Sequence, residues 1–209
     1  MNTEQKATTE LVLVRHAQTE SLNNGLIHGQ TDSPLSQEGI LAAEKTAARF
    51  RGQTFHGLYA SSLGRAIHTA AIIGEAIGRQ PVAVDGLREQ HYGWLEGKPG
   101  SWFNPEGNGK WILRPLVKLA MKTTAEPEEI YFQRVTRSAD EIIAAHPGQR
   151  VMLVVHWGIL CILVRHLQGE PLQGCLAPRR WTACGISEFH LNSHGWHAVR
   201  LNDSGHLKI

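Results

Sequence analysis

The chain has 209 residues, with 21 lysines and arginines against 19 aspartates and glutamates, so its formal charge is +2 when the 12 histidines are neutral. This length fits one domain, and a composition that is 42% apolar and 19% charged supports a buried core. The balanced charge excludes the strongly basic footprint of a nucleic-acid-binding protein. The three cysteines include no CxxC pair, which excludes a disulfide framework and a thiolate zinc site and indicates a reducing compartment.

The first residues and the longest apolar stretch indicate where the protein resides. The first ten residues are polar and include Glu4 and Glu10, unlike the basic and then apolar start of a secretory signal. Residues 151–164 form the longest apolar stretch, which is shorter than the roughly 20 residues that a membrane span needs. We therefore expect a cytoplasmic protein that has neither a membrane nor a nucleic acid as its partner.

Short apolar runs alternate with longer helical patterns along the chain. The runs at residues 11–14 (LVLV) and 151–155 (VMLVV) are continuous, as in strands that are covered on both faces. The segment FHGLYA reads as another strand. Helical patterns follow Ser36, follow Ser61 and Ser62, and extend from about Glu128 to Ala145. This order predicts an α/β fold, a three-layer α/β/α sandwich around a mainly parallel central sheet.

Residues 93–127 interrupt this order, because the segment is rich in glycine and proline. It reads as a lid-like insertion over the C-terminal edge of the sheet. Near the C-terminus, the segments ISEFHL, NSHG and WHAVRL predict a strand, a turn and a strand. The sequence contains no internal repeat or linker, so we expect residues 1–209 to form a single domain.

Two of the predicted strands run directly into histidine. The first is followed by Arg15 and His16, and the later one by His156. Because ligands bind outside the carboxyl ends of the strands in open α/β sheets, we expect both imidazoles at one edge. Arg65 falls in the first turn of the second predicted helix, and helix N-termini attract anions. Two arginines and two histidines around one point predict a phosphate pocket.

Four blocks of sequence extend this pattern. They are residues 14–20 (VRHAQTE) with 29–36 (GQTDSPLS), residues 61–66 (SSLGRA), residues 87–89 (LRE) with 92–97 (YGWLEG), and residues 155–158 (VHWG). In this order they resemble the histidine phosphatase superfamily, in its phosphoglycerate-mutase-like branch. The resemblance covers about residues 11–168 and implies a phosphoglycerate-mutase-like fold and a phosphoric monoester hydrolase.

The resemblance also implies a role for each group. His16 is expected to attack phosphorus and form a phosphohistidine that water later cleaves, which a neutral imidazole can do at physiological pH. Arg15, Arg65 and His156 are expected to hold the phosphoryl oxygens. Glu89 is expected to protonate the leaving alcohol and then activate water. The expected further substrate contacts are Gln18, Asn23, Gly29, Tyr92 and Trp157.

Side chains thus supply the positive charge that phosphoryl transfer requires. We therefore expect no metal ion and no cofactor, and a small-molecule phosphate ester as the substrate. The predicted function is a metal-independent phosphomonoesterase that hydrolyses a small phosphorylated metabolite.

Several positions depart from the usual residues of the family. Ala17 replaces a glycine, a change that preserves the turn if the backbone angles allow a Cβ. Leu22 replaces an asparagine, with Asn23 one place further on, and Leu26 occupies a commonly basic position. Trp157 replaces another glycine. We infer that phosphate binding is retained, whereas recognition of the rest of the substrate is particular to this chain.

Other interpretations of the same residues remain open. Arg15 and His16 could form a solvated charged pair, His156 could be a satisfied core histidine, and Glu89 could be a salt-bridge partner of Arg88. Among enzymes, the alternative is a cofactor-dependent phosphoglycerate mutase, which the sequence EQHY at residues 89–92 favours. A non-catalytic phosphate-binding protein is the third possibility, and it should lack one of the catalytic groups.

Two histidine patterns are assigned structural roles. The string at residues 164–166 (VRH) repeats the first site motif, but it ends a helical stretch, where cations suit the helix dipole. His190, His194 and His197 have spacings that would suit a metal on a helix, yet the predicted turn places them on a hairpin. We expect no metal at either place.

A basic stripe crosses the insertion. Its members recur every fourth residue in a stretch without acidic side chains, and Pro115 would interrupt a helix there. The stripe is either the solvated face of an amphipathic helix or the source of a cation for a second acidic group on the substrate. Its residues are Lys110, Arg114, Lys118 and Lys122.

Overall fold

A six-stranded sheet lies at the centre of the computed structural model, which describes residues 8–100, 119, 122–174 and 181–208. The spatial order of the strands is β3-β2-β4-β1-β5-β6. Strands β1 to β4 pair in parallel, whereas β5 pairs antiparallel with both β1 and β6, so the prediction of a mainly parallel sheet is confirmed. The strands are β1 (Thr9–Arg15), β2 (Gly57–Ser61), β3 (Val82–Val84), β4 (Arg150–Val155), β5 (Ile186–Asn192) and β6 (Gly195–Asp203).

Helices cover the sheet between the strands. The long helical patterns of the sequence all form helices in the part of the chain that the structure describes. Ser36 caps the second helix through its Oγ, which accepts the Gly39 N–H at 3.1 Å. The helices are α1 (Glu20–Asn23), α2 (Gln37–Phe50), α3 (Gly64–Ile77), α4 (Glu128–Ala144) and α5 (Trp157–Leu167), with single 3-10 turns at Asp85–Leu87, Gly93–Leu95 and Gly205–Leu207.

Alternating side chains of the central strands form two cores. Val12 and Val14 of β1 pack with α2 and α3 on one face, whereas Leu11 and Leu13 pack with α4 and α5 on the other. All four side chains are fully buried. A strand that is covered on both faces has a continuous apolar sequence, which explains the LVLV run. The predicted three-layer α/β/α sandwich is therefore confirmed.

The pairing of β1 with β4 brings the two histidine motifs together. Arg15 lies opposite Val155 in the parallel register, and the backbone N–H of His16 donates to the Val155 carbonyl at 2.8 Å. His16 and His156 therefore leave the sheet side by side at its carboxyl edge. The sequence predicts this juxtaposition, and the register produces it.

Two elements and one helix start differ from the sequence expectations. Neither α1 nor β3 is predicted, because each is short and Val82 of β3 is exposed at the sheet edge. Helix α3 begins after Leu63, and neither Ser61 nor Ser62 caps it through its side chain. Asp32 holds that helix start instead, accepting the N–H groups of the first two helical residues.

Much of the predicted insertion lies outside the described residues, including Lys110, Arg114 and Lys118 of the basic stripe. Lys122 is described and is exposed. The predictions about the C-terminal patterns are confirmed: Arg165 and His166 occupy the last turn of α5, and β5 and β6 form the hairpin. Across the described parts of the chain, the helices lack the combination of length and apolar character that a membrane crossing demands.

Candidate active site

A cleft of about 500 Å³ opens at the carboxyl edge of the parallel strands. Its lining combines the cations and imidazoles that follow the strands with apolar and aromatic side chains. The described residues that line it are Arg15, His16, Leu22, Leu26, Ile27, His28, Gly29, Arg65, Glu89, Gln90, Tyr92, Glu128 and Trp157.

His16 presents one nitrogen to this cleft in a defined protonation state. Its side chain is 4% exposed, and its Nδ1 lies 2.8 Å from the carbonyl oxygen of Ala17. Because a carbonyl only accepts hydrogen bonds, Nδ1 carries the proton and Nε2 keeps its lone pair. Burial lowers the pKa of His16 well below its usual range, and the charges of Arg65 and Arg15 lower it further. His16 is thus a neutral imidazole at physiological pH.

Ala17 fits the turn where a glycine is usual in the family. Its side chain is fully buried, and its φ lies outside the left-handed region that favours glycine. The Ala17 N–H donates to Thr69 Oγ1 at 3.0 Å, and that hydroxyl donates to the Arg65 carbonyl at 2.7 Å. These bonds connect the residue after the nucleophile to the first turn of α3, so the additional methyl group leaves the turn intact.

His156 packs directly behind His16. The two ring centroids are 5.0 Å apart, and His156 is fully buried, outside the set of residues that line the cleft. Its Nε2 lies 2.7 Å from Ser61 Oγ, which also accepts the Leu63 N–H. Because the serine hydroxyl has no other acceptor among the described residues, its proton points to Nε2. The His156 proton is then on Nδ1, which has no hydrogen-bond partner in the same part of the chain. Burial, followed by the charges of Arg65 and His16, lowers the pKa of His156 well below its usual range.

Two buried guanidinium groups flank the imidazoles. Arg65 is 2% exposed, and its two terminal nitrogens donate to the carbonyls of Gly29 at 2.7 Å and Thr31 at 3.0 Å. Asp32 is its salt-bridge partner at 3.3 Å. Arg15 donates to the Trp181 carbonyl at 2.6 Å. Burial lowers the pKa of both arginines, although a guanidinium stays charged at physiological pH.

Unpartnered donors around the cleft suit an anion. The Nε atoms of Arg15 and Arg65, and Nδ1 of His28 and of His156, are buried and have no hydrogen-bond partner among the described residues. Buried polar groups in proteins nearly always have a partner. Three of these nitrogens belong to residues that line the cleft and the fourth to His156 beside His16, so a ligand with several acceptor oxygens suits the site.

Glu89 stands on the opposite wall, and its carboxylate is held by three donors. Tyr131 donates its hydroxyl proton to Oε1, the Gln90 N–H donates to the same oxygen at 3.0 Å, and the Gly158 N–H donates to Oε2 at 3.0 Å. The last bond places the carboxylate at the N-terminus of α5, where negative charge is favoured. Arg88 forms no ion pair with Glu89; it contacts Asp85 and Gln30 instead.

Glu96, the acidic residue of the YGWLEG block, connects two loops through hydrogen bonds. Its carboxylate accepts the backbone N–H groups of Gln30 at 2.9 Å, Thr31 at 2.7 Å and Tyr92 at 2.9 Å. Partial burial favours the neutral form, but these bonds and the Thr31 hydroxyl outweigh it and lower the pKa of Glu96. This carboxylate therefore fixes the Gly29 loop against the loop that follows Glu89.

The predicted substrate contacts fall into two groups. Gly29, Tyr92 and Trp157 line the cleft. Gln18 and Asn23 are outside the lining, and the Gln18 Nε2 donates to the Asn23 Oδ1 at 2.8 Å. In place of Asn23, the cleft wall carries the apolar side chains of Leu22 and Leu26. The substrate contacts expected of Gln18 and Asn23 stay predictions.

His28 is one of the lining residues that sequence reasoning missed, with Ile27, Gln90 and Glu128. Its Nε2 lies 3.2 Å from Thr19 Oγ1, which also accepts the Leu22 N–H. Among the described residues the threonine hydroxyl has no other acceptor, so its proton points to Nε2 and the His28 proton is on Nδ1. Burial, followed by the charge of Arg65, lowers the pKa of His28 to about 4. The signal in the sequence is its position directly before Gly29 in a matched block.

Among the described residues, one group of side chains has the spacing of metal ligands, and it lies outside this cleft. Glu10, Glu188 and His190 place one ligand atom each within 4.8 Å of one another. Arg150 already pairs with both carboxylates at 3.2 Å, and Arg200 pairs with Glu188 at 3.0 Å. The group reads as an ion-pair network, and the His190 ring faces the His197 ring across the hairpin at 5.6 Å.

Known proteins are similar to this chain over nearly its whole length. A protein from Hydrogenobacter thermophilus assigned as phosphoserine phosphatase 2 is 32% identical over 202 residues, which cover 95% of this chain and 97% of the relative. A protein from Yersinia pestis assigned as phosphoglycerate mutase GpmB is 30% identical over 209 residues, which cover 96% of this chain and 95% of the relative.

The solved structure of YhfR from Bacillus stearothermophilus has the same fold, with a TM-score of 0.83 at 23% sequence identity. The match covers 96% of this chain and 100% of that one. The family model for the histidine phosphatase superfamily, branch 1, matches residues 11–204. The chain belongs to the histidine phosphatase superfamily.

Proposed function

We propose that this protein is a metal-independent phosphomonoesterase that hydrolyses a small phosphorylated metabolite through a phosphohistidine on His16. The observation that carries the proposal is the His16 ring itself, which is neutral, has its Nδ1 proton committed to Ala17 and lies beside two buried guanidinium groups. Family membership supports the class of phosphoric monoester hydrolase.

In the first step the phosphoryl group moves from the substrate to the enzyme. Nε2 of His16 attacks phosphorus, a nitrogen–phosphorus bond forms, and the bond to the leaving oxygen breaks in line with it. Arg15, Arg65 and the Nδ1 proton of His156 stabilise the charge on the phosphoryl oxygens. Glu89 donates a proton to the leaving oxygen, so the product leaves as a neutral alcohol.

In the second step water releases the phosphate. Glu89, now a carboxylate, takes a proton from a water molecule whose oxygen attacks phosphorus. The nitrogen–phosphorus bond breaks, inorganic phosphate forms, and His16 returns to its neutral state. The positive charge that this transfer requires comes from Arg15 and Arg65, so the proposal includes no metal and no cofactor.

The apolar lining of the cleft limits which leaving groups fit. Leu22, Leu26, Tyr92 and Trp157 form an apolar and aromatic wall of the cleft. Such a wall favours a small organic leaving group with apolar surface over a strongly hydrated one. The proposed partner is therefore a small phosphate ester in the cytoplasm, with neither nucleic acid nor membrane involved.

Phosphoglycerate mutase activity is the second candidate, because a mutase-named relative is 30% identical over nearly the whole chain. The sequence EQHY at residues 89–92 also favours it. Leu22 and Leu26 oppose it, since they place apolar side chains where polar contacts are usual in the family. Incubation with phosphoglycerate separates the two, since a mutase moves the phosphate to another carbon and a phosphatase releases it.

The covalent step is tested by trapping. A brief incubation with a labelled phosphomonoester, followed by denaturation, should give an acid-labile and base-stable phosphoprotein. The label should be absent in His16→Ala and retained in the matched control His194→Ala, which removes an exposed histidine in the hairpin turn. Strong turnover by His16→Ala would overturn the mechanism. Phosphate binding without turnover would indicate the non-catalytic alternative. That alternative predicts the loss of a catalytic group, whereas the sequence retains all five: His16, Arg15, Arg65, His156 and Glu89.

A further inference from the structure

Helix α4 contacts the loop that carries Glu89 through two residues one helical turn apart, Tyr131 and Arg134. Tyr131 is fully buried, and its hydroxyl donates to Glu89 Oε1. Arg134 lies over the Tyr131 ring, with its guanidinium carbon 4.9 Å from the ring centroid. Neither residue is among the lining of the cleft in the part of the chain that the structure describes. Both are therefore placed to act through Glu89 and not on the substrate.

Tyr131 is a permanent donor to the Glu89 carboxylate. Burial, and then the Glu89 charge, raises the pKa of Tyr131 well above its usual range, so its proton stays on the phenol oxygen throughout the working pH range. A hydrogen bond to an ionised acceptor is stronger than one between neutral groups. The phenol therefore orients the carboxylate.

Arg134 immobilises the backbone that carries Glu89. Its Nη1 donates to the carbonyls of Gly86 at 3.0 Å and Arg88 at 2.6 Å, and its Nη2 donates to the carbonyl of Glu89 at 3.0 Å. The remaining N–H groups form a two-point contact with the carboxylate of Glu126, at 2.6 and 2.8 Å. All five guanidinium protons are thus used, which a lysine could not reproduce.

The carboxylate is closely packed on the side that faces Gly158. A Cβ at Gly158 would lie 2.5 Å from Glu89 Oε1 and 2.6 Å from the Tyr131 hydroxyl. The carboxyl group consequently has little freedom to rotate, because Tyr131 packs on one side and the start of α5 on the other. Correct placement of a general acid within hydrogen-bond reach of the leaving oxygen requires this kind of support.

We propose that Tyr131 and Arg134 are positioning residues for Glu89: Tyr131 sets the orientation of its carboxyl group, and Arg134 fixes its backbone. This inference rests on the proposed function, in which Glu89 donates a proton to the leaving oxygen and later takes one from water. Both steps require the same carboxyl oxygen to stay within reach of the reacting atoms, which is what the two residues provide.

The first test is Tyr131→Phe, which removes one oxygen and retains the buried ring. Loss of the donor frees the Glu89 carboxyl to leave the orientation in which it reaches the leaving oxygen. The kcat/KM for an alkyl phosphate should fall roughly tenfold or more, and that for p-nitrophenyl phosphate less, because a poor leaving group depends more on protonation. Equal losses for both substrates, or no loss for either, would overturn the role of Tyr131.

The second test is Arg134→Lys, with Arg137→Gln as the control. Arg137 lies on the same helix but is exposed and pairs only with Glu141 among the contacts given for the described residues. Arg134→Lys should lower kcat roughly tenfold with little change in KM, whereas the control should leave both unchanged.

Glu126→Gln should have a smaller effect that does not add to that of Arg134→Lys, because its carboxylate acts through the same guanidinium. Additive losses, or an unchanged kcat in folded Arg134→Lys, would contradict the proposal.

Failure of this inference is distinguishable from failure of the proposed function. The wild-type protein and Tyr131→Phe should both give a phosphohistidine when p-nitrophenyl phosphate is the substrate. A wild-type protein that traps no phosphate on His16 would overturn the proposed function. A wild-type protein that is labelled, with a Tyr131→Phe variant whose kcat/KM and leaving-group dependence match those of the wild type, would overturn only the role of Tyr131.

Discussion

The imidazole rings of His16 and His156 lie with their centroids 5.0 Å apart at the ends of the paired strands β1 and β4. Burial disfavours the charged form of both rings, and Arg65 is the next cause for each. Two neutral imidazoles thus stand beside cationic guanidinium groups. Which nitrogen of each ring carries the proton then decides the chemistry, and the hydrogen bonds to Ala17 and Ser61 determine it.

Ser61→Ala should weaken phosphoryl transfer without removing it. The serine hydroxyl is the partner of His156 Nε2, so its loss frees the ring to place its proton on either nitrogen. With Nδ1 no longer the fixed donor, kcat/KM should fall roughly tenfold. Steady-state kinetics check this, and Ser62→Ala is the matched control because Ser62 bonds the exposed Asp85 instead. Equal losses in both variants would contradict the assignment.

Arg65→Gln should raise the pKa of His16. A nearby positive charge disfavours protonation of the ring, so its removal moves the pKa upward. Burial is the larger cause and persists, so the value should stay below the usual one. NMR titration of the imidazole resonances measures the change, with the exposed Arg51→Gln as the control. A pKa that falls, or one that does not move, would show that Arg65 does not act on the nucleophile through its charge.

Gly158→Ala should damage the site at Glu89. The new Cβ would lie 2.5 Å from Glu89 Oε1, which forces the carboxylate or the start of α5 to move. We expect the free energy of unfolding to fall by about 1–3 kcal/mol and kcat by roughly tenfold or more. Denaturant titration and kinetics measure both. A variant with full activity would show that the carboxylate can be displaced from its hydrogen bond to the Gly158 N–H without loss.

Ala17→Gly should leave activity nearly unchanged. The backbone of Ala17 already has angles that L-residues adopt, and its N–H bond to Thr69 Oγ1 does not involve the side chain. The cost should be in stability, about 1 kcal/mol, from the greater freedom of glycine in the unfolded chain and the loss of a buried methyl group. Thermal unfolding and kcat/KM are the two measurements. A large drop in activity would mean that the methyl group shapes the nucleophile's position.

The parts of this fold that were predictable are those with strong local patterns. Continuous apolar runs identify β1 and β4, and Ser36 identifies the start of α2. Helix α1 and strand β3 escape prediction because they depend on neighbours: α1 is a single capped turn, and β3 is three residues held at the sheet edge by β2. Short elements carry too few residues for a periodic signal.

The residues of the candidate site also divide into those that a local sequence pattern identifies and those that only three-dimensional contacts identify. Residues with a motif, such as His16 and Glu89, could be named from the chain alone. His28 and Tyr131 could not, because their roles arise from three-dimensional contacts: His28 with Thr19, and Tyr131 with Glu89 across two separate segments. No local pattern marks a tyrosine in the middle of an amphipathic helix as the partner of a carboxylate on a distant loop.

Leu26→Lys should shift the substrate preference toward a second acidic group. Leu26 lines the cleft at a position that is commonly basic in the family, and its neighbour in the wall is the apolar Ile27. A cation there would attract the carboxylate of phosphoglycerate, so kcat/KM for phosphoglycerate should rise roughly three- to tenfold relative to that for p-nitrophenyl phosphate. Leu41→Lys is the control, because it adds the same charge at a half-exposed site on α2 outside the cleft. The effect should weaken at high salt because it is electrostatic. An unchanged ratio of the two substrates would mean that the apolar wall does not set specificity at this point.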